Sequence, residues 1–166
     1  MCIRDRYRTD AGTPVAQFAA EDFVLQGETR LTSLFNEGFA VGGTSTSTSL
    51  GWAIYPDVGG LPAGNPVTAP DAAVWRYASA LNGPGVTAAG TNYGLNLVAA
   101  NQNVVLPAGR YWLVTYARGP YASGWAWFAT AEGDGRFATL SIASTGVGAW
   151  AVTTSFGGLS TRILGR

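Results

Sequence analysis

The stretch Leu106-Pro-Ala-Gly-Arg-Tyr-Trp-Leu-Val-Thr-Tyr116 limits what this chain can fold into more than any other. A Pro/Gly turn feeding straight into an aromatic and β-branched run is how a sheet strand begins, because such side chains suit a pleated, packed surface and crowd a helix. The same grammar recurs along the chain, with twenty-three glycines and eight prolines set among Thr, Ser and Asn. Few strong helix formers stand together, so many short strands joined by tight turns are expected.

Ten strands are predicted, over 18–25, 30–39, 49–55, 72–79, 92–99, 110–117, 124–130, 137–142, 149–154 and 159–164. In 49–55 strict alternation sets Leu50, Trp52 and Ile54 on a core-facing side and Ser49, Gly51 and Ala53 on the other. Two stretches read as surface loops: Gly42-Gly43 with the Ser/Thr run to Thr48, and Pro56 to Pro66, where three prolines and three glycines break up regular pairing. Ten short strands without a convincing helix predict an all-β fold, a two-sheet antiparallel β-sandwich that is jelly-roll-like.

The opening Met1-Cys-Ile-Arg-Asp-Arg6 looks like read-through translation of a sequencing adapter at the edge of a metagenomic gene fragment. Residues 1–15 are accordingly expected to be an artefactual or disordered lead-in, with any signal peptide or upstream domain lost, and 16–166 a single domain. A chain of this size buries roughly two-thirds of its unfolded surface and can hold its own core. Only 12% of residues are charged, ten basic against ten acidic. That balance argues against nucleic acid, which calls for a concentrated basic face. Every basic residue is arginine, and beyond the opening six residues they are scattered from Arg8 to Arg166 without a cluster. No apolar run approaches the roughly 20 residues of a membrane helix. The lone Cys2 lies in the set-aside segment, and a domain this large needs no disulfides to live outside the cell.

Several motifs follow one another in order: Glu21-Asp-Phe-Val24, Trp52-Ala-Ile-Tyr-Pro-Asp57, Gly59-Gly-Leu-Pro-Ala-Gly64, Val74-Trp-Arg-Tyr77, Leu106-Pro-Ala-Gly-Arg-Tyr-Trp-Leu113 and Leu159-Ser-Thr-Arg-Ile-Leu-Gly165. In this order, over residues 16 to 165, the chain resembles a jelly-roll-like accessory module of secreted and surface-anchored bacterial proteins. The resemblance implies an extracellular or cell-surface location and a sandwich architecture, and it carries no catalytic residue with it.

Aromatic residues supply the candidate site. Trp125 and Trp127 are two apart, so on a strand they project to one face at a spacing of roughly 7 Å that suits stacking on a glycan, with Tyr121 completing a platform. The commoner fate of such a pair is the inter-sheet core, as for Trp52. Trp112 shares a face with Val114 and Tyr116, and either face of that strand can be inward. Trp75 can pack beneath Arg76, and Trp150 is core or rim. For a metal, the acids Glu21, Asp22, Asp57 and Asp134 are the candidate ligands of a structural calcium, although none follows EF-hand spacing and solvated turn acids look the same.

Histidine and lysine are both absent, which removes the usual base for a serine nucleophile and the usual zinc ligands. Glycoside hydrolysis needs only two carboxyl groups, but no spacing selects a pair. The expectation is therefore a non-enzyme: a structural or interaction module of a larger exported protein, its partner a neighbouring domain or a surface glycan, and monomeric. A carbohydrate-binding module is the alternative, and a glycan-active enzyme with a carboxylate pair the remote one.

Overall fold

The structure is a computed structural model that describes the strand path of residues 2–8 and then residues 16–40, 47–119, 124–143 and 145–166. In chain order the strands are β1 (Cys2–Arg8), β2 (Ala16–Leu25), β3 (Thr29–Asn36), β4 (Gly38–Ala40), β5 (Ser49–Val58), β6 (Leu61–Pro62), β7 (Trp75–Ala80), β8 (Val86–Ala89), β9 (Asn92–Asn96), β10 (Val104–Leu106), β11 (Gly109–Gly119), β12 (Trp125–Thr130), β13 (Phe137–Ala143), β14 (Gly146–Val147), β15 (Ala151–Thr153), β16 (Gly158–Leu159) and β17 (Thr161–Gly165). A single 3-10 turn, Pro70–Ala72, is the one helical element among the described residues.

These strands form the expected β-sandwich. A twelve-stranded sheet has β13, β2, β11, β5 and β7 as its antiparallel centre, and a five-stranded sheet is built on β3 with β8, β9, β10 and β17. Leu31, Leu34, Tyr93 and Leu95 of the small sheet meet Leu50, Trp52, Ile54, Leu113 and Phe137 of the large one in the inter-sheet core.

The large sheet is buried on its other face as well. Phe18, Ala20, Ala53, Tyr55, Trp112, Val114 and Tyr116 form a second core, covered by Leu61, Val67, Ala72, Ala73 and Trp150. This corrects the expectation that only one face of 49–55 is inward and resolves the two-way reading of Trp112, since both faces of β5 and β11 are inside. Strands buried on both faces read as continuous apolar runs, which Leu50 to Tyr55 does.

The Pro56 to Pro66 segment, expected to be a loop, carries the end of β5 and all of β6. Gly59 and Gly60 take φ of 64° and 85°, the left-handed pair that a two-residue hairpin turn demands. Two predicted strands are split instead: 30–39 breaks at Glu37 and 159–164 at Ser160, and each half joins a different sheet. Residues 2–8, set outside the domain by the sequence reading, run as β1 along backbone that β2 and β11 leave open where they diverge. There β1 is parallel to β11, the one parallel pairing among the described strands. Backbone groups at a strand edge pair with any extended segment, whatever its side chains, so this pairing leaves no mark in the side-chain pattern.

Candidate functional site

Trp125 and Trp127 do project to one face of β12, with ring centroids 6.1 Å apart, but that face is the inter-sheet core and both rings are fully buried. Tyr93 of the small sheet lies 5.3 Å from Trp125. The indole N–H of Trp125 donates to the Thr91 carbonyl at 2.7 Å and that of Trp127 to the Ser160 carbonyl at 2.8 Å. The expected glycan platform is thus corrected: its two tryptophans fasten the corner where the sheets exchange strands. Tyr121 lies outside the described residues. The ring of this strand that does reach solvent is Phe128, 46% exposed and 4.9 Å from Phe39.

At that same corner the two split strands are tied to each other. Glu37 N–H donates to the Ser160 carbonyl at 3.1 Å, and Ser160 Oγ donates to Glu37 Oε2 at 2.7 Å. Both residues also exchange backbone bonds with Phe128.

The four candidate calcium ligands are spread over separate tasks. Glu21 is buried and its Oε2 accepts the Leu159 N–H at 2.7 Å, which ties the C-terminal segment to β2. Burial raises the Glu21 carboxyl to about 8, opposed by the Leu159 bond and reinforced by Asp22 and Asp134. Asp22 faces the opposite side of β2, its side chain 2% exposed, and pairs with Arg110. Burial and then Asp134 raise its pKa, against Arg110 and Arg136. Asp134 Oδ1 accepts the Arg136 N–H at 3.0 Å. Asp57 stands at the hairpin turn, where Oδ1 accepts the Trp112 indole N–H at 2.7 Å and Oδ2 the Gly60 N–H at 3.1 Å. Among the described residues no three Asp, Glu, His or Cys side chains are arranged to hold a metal ion.

Two of the concavities adjoin the residues described above. One, of about 330 Å³, opens beside Glu21 and is lined by Asp22, Phe23, Glu132 and Leu159 among others. The other, of about 290 Å³, lies on the outer face of β5, β7 and β11, where Ala53, Tyr55, Ala78 and Tyr116 make the floor, Pro66 and Pro70 the roof, and Arg76 and Arg118 the flanks. Gly51 makes room for this floor, since a Cβ there would run into the Tyr116 ring. The roof is fixed from beneath: Asn65 Oδ1 accepts the Val67 and Thr68 N–H groups at 3.0 and 2.9 Å, and Trp150 Nε1 donates to the Gly64 carbonyl at 2.8 Å. Trp150 is therefore a half-buried strut at the rim.

Tyr55 is wholly buried, yet its hydroxyl has no hydrogen-bond partner among the described residues. Burial, followed by the neighbouring Tyr116, raises its pKa well beyond the ordinary phenol value, with Arg76 opposing. Arg76 is taken up by Asp71 at 2.9 Å and does not cover Trp75. Trp75 points to the other face of β7, stacked on Tyr77 at 6.4 Å, because successive strand residues face opposite ways. Sequence reasoning missed Tyr55 by assigning its side of the strand to solvent. The signal that could have found it is the unbroken apolar run around it.

Compared with protein-family models, with curated proteins and with solved structures, the chain matches none, so its chemistry is read from its own residues.

Proposed function

We propose that this chain is a non-catalytic β-sandwich module, a structural or interaction domain of a larger exported bacterial protein that works outside the cell or on its surface. The observation that carries this reading is the employment of its acids. Glu21, Asp22 and Asp57 each hold one segment of the fold to another, through Leu159, Arg110 and Trp112 respectively, and Asp134 closes its own turn through the Arg136 N–H. Hydrolysis of a glycosidic bond requires one carboxyl group free to give a proton and a second free to act as base or nucleophile. A domain free of cysteine from residue 16 onward, near-neutral and rich in Gly, Ser and Thr, suits an exported setting.

The test pairs an activity assay with a stability assay. Reducing-end release from a panel of soluble polysaccharides is expected to stay at the buffer level, while Asp57→Ala lowers stability by about 1–3 kcal/mol by stranding the buried Trp112 indole N–H. Polysaccharide cleavage that disappears in Glu21→Gln would overturn the reading.

A further inference from the structure

Glycan binding keeps a second foothold on this molecule after the tryptophan platform is lost, and it lies on the opposite face of the large sheet. We propose that the cleft over β5, β7 and β11 is a binding site for one neutral pyranose ring of a glycan, with a ring hydroxyl hydrogen-bonded to the Tyr55 hydroxyl. The inference goes beyond the interaction-module reading by giving the module a ligand, and rests on that reading only in that the sugar leaves unchanged.

The orphan hydroxyl is the first support. Buried tyrosine hydroxyls nearly always find a partner, and Tyr55 is wholly buried without one among the described residues. Tyr55 lines the cleft together with Tyr116 and Arg76, so the side chain that carries the unpaired hydroxyl borders that space. Within the second core it is thus the polar group that a ligand hydroxyl would complete.

Size and chemistry select the ligand class. About 290 Å³ stands at the lower end of small-molecule sites, enough for one ring and too little for a chain to be enclosed. Pro66, Pro70 and the Tyr116 ring offer apolar surfaces of the kind that cover the C–H faces of a sugar, while Tyr55 both donates and accepts, as a hydroxyl ligand requires. The charge of Arg76 is offset by Asp71 at 2.9 Å, so this flank presents a donor and acceptor pair and not a bare cation. On the other flank Arg118 is turned to Tyr116, over whose ring it lies at 5.6 Å and to whose hydroxyl its Nη2 donates at 3.5 Å, so a neutral polyol fits better than a phosphate or a carboxylate. The roof is held by Asn65 and Trp150 before any ligand arrives, which lowers the ordering cost of binding.

The experiment follows the backbone amide spectrum of the isotope-labelled intact chain during titration with glucose, galactose, mannose and N-acetylglucosamine, and separately with glucuronate and inorganic phosphate. At least one neutral sugar is expected to shift the amides of Ala53, Arg76, Ala78 and Tyr116 while leaving those around Trp127 in place. Tyr55→Phe is expected to melt no lower than the parent and to bind about five- to tenfold more weakly, the loss of one hydrogen bond. Ala78→Leu, at an exposed position on the cleft floor, is expected to keep the fold and abolish the shifts. The proposal is overturned if no neutral sugar moves these amides, if glucuronate or phosphate moves them and the neutral sugars do not, or if Tyr55→Phe binds as the parent does. A Tyr55→Phe variant that melts lower would also overturn it, by showing an internal partner for the hydroxyl. Conversion of a bound oligosaccharide would support the site and overturn the non-catalytic reading, whereas silence in every titration would overturn the site and leave that reading standing.

Discussion

Two aromatic groups sit on opposite faces of the large sheet and differ in one respect that separates structure from recognition. At the inner corner, Trp125 and Trp127 are buried and each indole N–H ends on a carbonyl, Thr91 or Ser160. At the outer cleft, Tyr55 is as deeply buried but its hydroxyl ends on nothing among the described residues, beneath an opening wide enough for a small ring. Burial alone therefore does not tell a fastener from a binding group. Between these two groups the completeness of the hydrogen bonding differs, since a closed network has no capacity left for a ligand and an open one does. An unpaired atom alone does not make a site: the buried Trp52 indole N–H in the inter-sheet core also lacks a partner among the described residues.

The largest effect should come from breaking the corner. Trp127→Ala is expected to cost about 3–5 kcal/mol, from the cavity and the lost indole bond together, or to leave the chain unfolded. Phe128→Ala, one position along on the exposed face, is expected to cost well under that. Denaturant titration of the two variants checks the contrast. Equal losses at 127 and 128 would mean that the corner is no more structural than the surface beside it.

How far the sequence foretold this contrast can be argued from the same residues. The period of two correctly placed Trp125 and Trp127 on one face, and the strand grammar found most of the elements, but spacing does not say which face is inward when both are covered. The breaks at Glu37 and Ser160 were invisible because alternation runs on through them; only the strand partners differ on either side, and partner choice is a long-range matter. Gly59-Gly60 within a Pro/Gly-rich stretch suggests a surface loop, but consecutive glycines between strand residues are equally the signature of a tight hairpin. The acids looked like metal ligands because loop carboxylates near turns do. Their true partners, Leu159, Arg110 and Trp112, are distant in sequence or across strands and carry no local mark.

A middling effect belongs to Glu21, which joins the corner side of the molecule to its C-terminal segment. Its carboxyl is raised from an ordinary 4.5 to about 8, so between those values the native state holds a proton that the unfolded chain has already released. Stability from this group is therefore greatest below about pH 4.5 and declines as pH rises toward about 8, by on the order of a few kcal/mol. Asp22, also raised, acts in the same direction. Glu21→Gln keeps an oxygen for the Leu159 N–H and cannot ionise, so its stability is expected to vary less across that window. Melting temperatures of both proteins over the pH range check this, and parallel profiles would show that Glu21 does not titrate in the fold.

The smallest effect is expected at the rim of the cleft, and its smallness sharpens the comparison. Arg76 and Asp71 are 2.9 Å apart with side chains 58% and 88% exposed, a setting in which water screens the pair and side-chain ordering offsets most of its attraction. Asp71→Asn should change stability by less than about 0.5 kcal/mol. The half-buried pair of Asp22 and Arg110 is the internal standard: Arg110→Met leaves a carboxyl group that is 2% exposed without a cation that is itself 34% exposed, and a loss of about 1–3 kcal/mol follows. If Asp71→Asn destabilised the fold as Arg110→Met does, the rim would be structural like the corner, and the difference between a closed face and an open one would disappear. If it leaves stability alone but alters the sugar-dependent shifts at Arg76 and Ala78, the rim pair belongs to recognition.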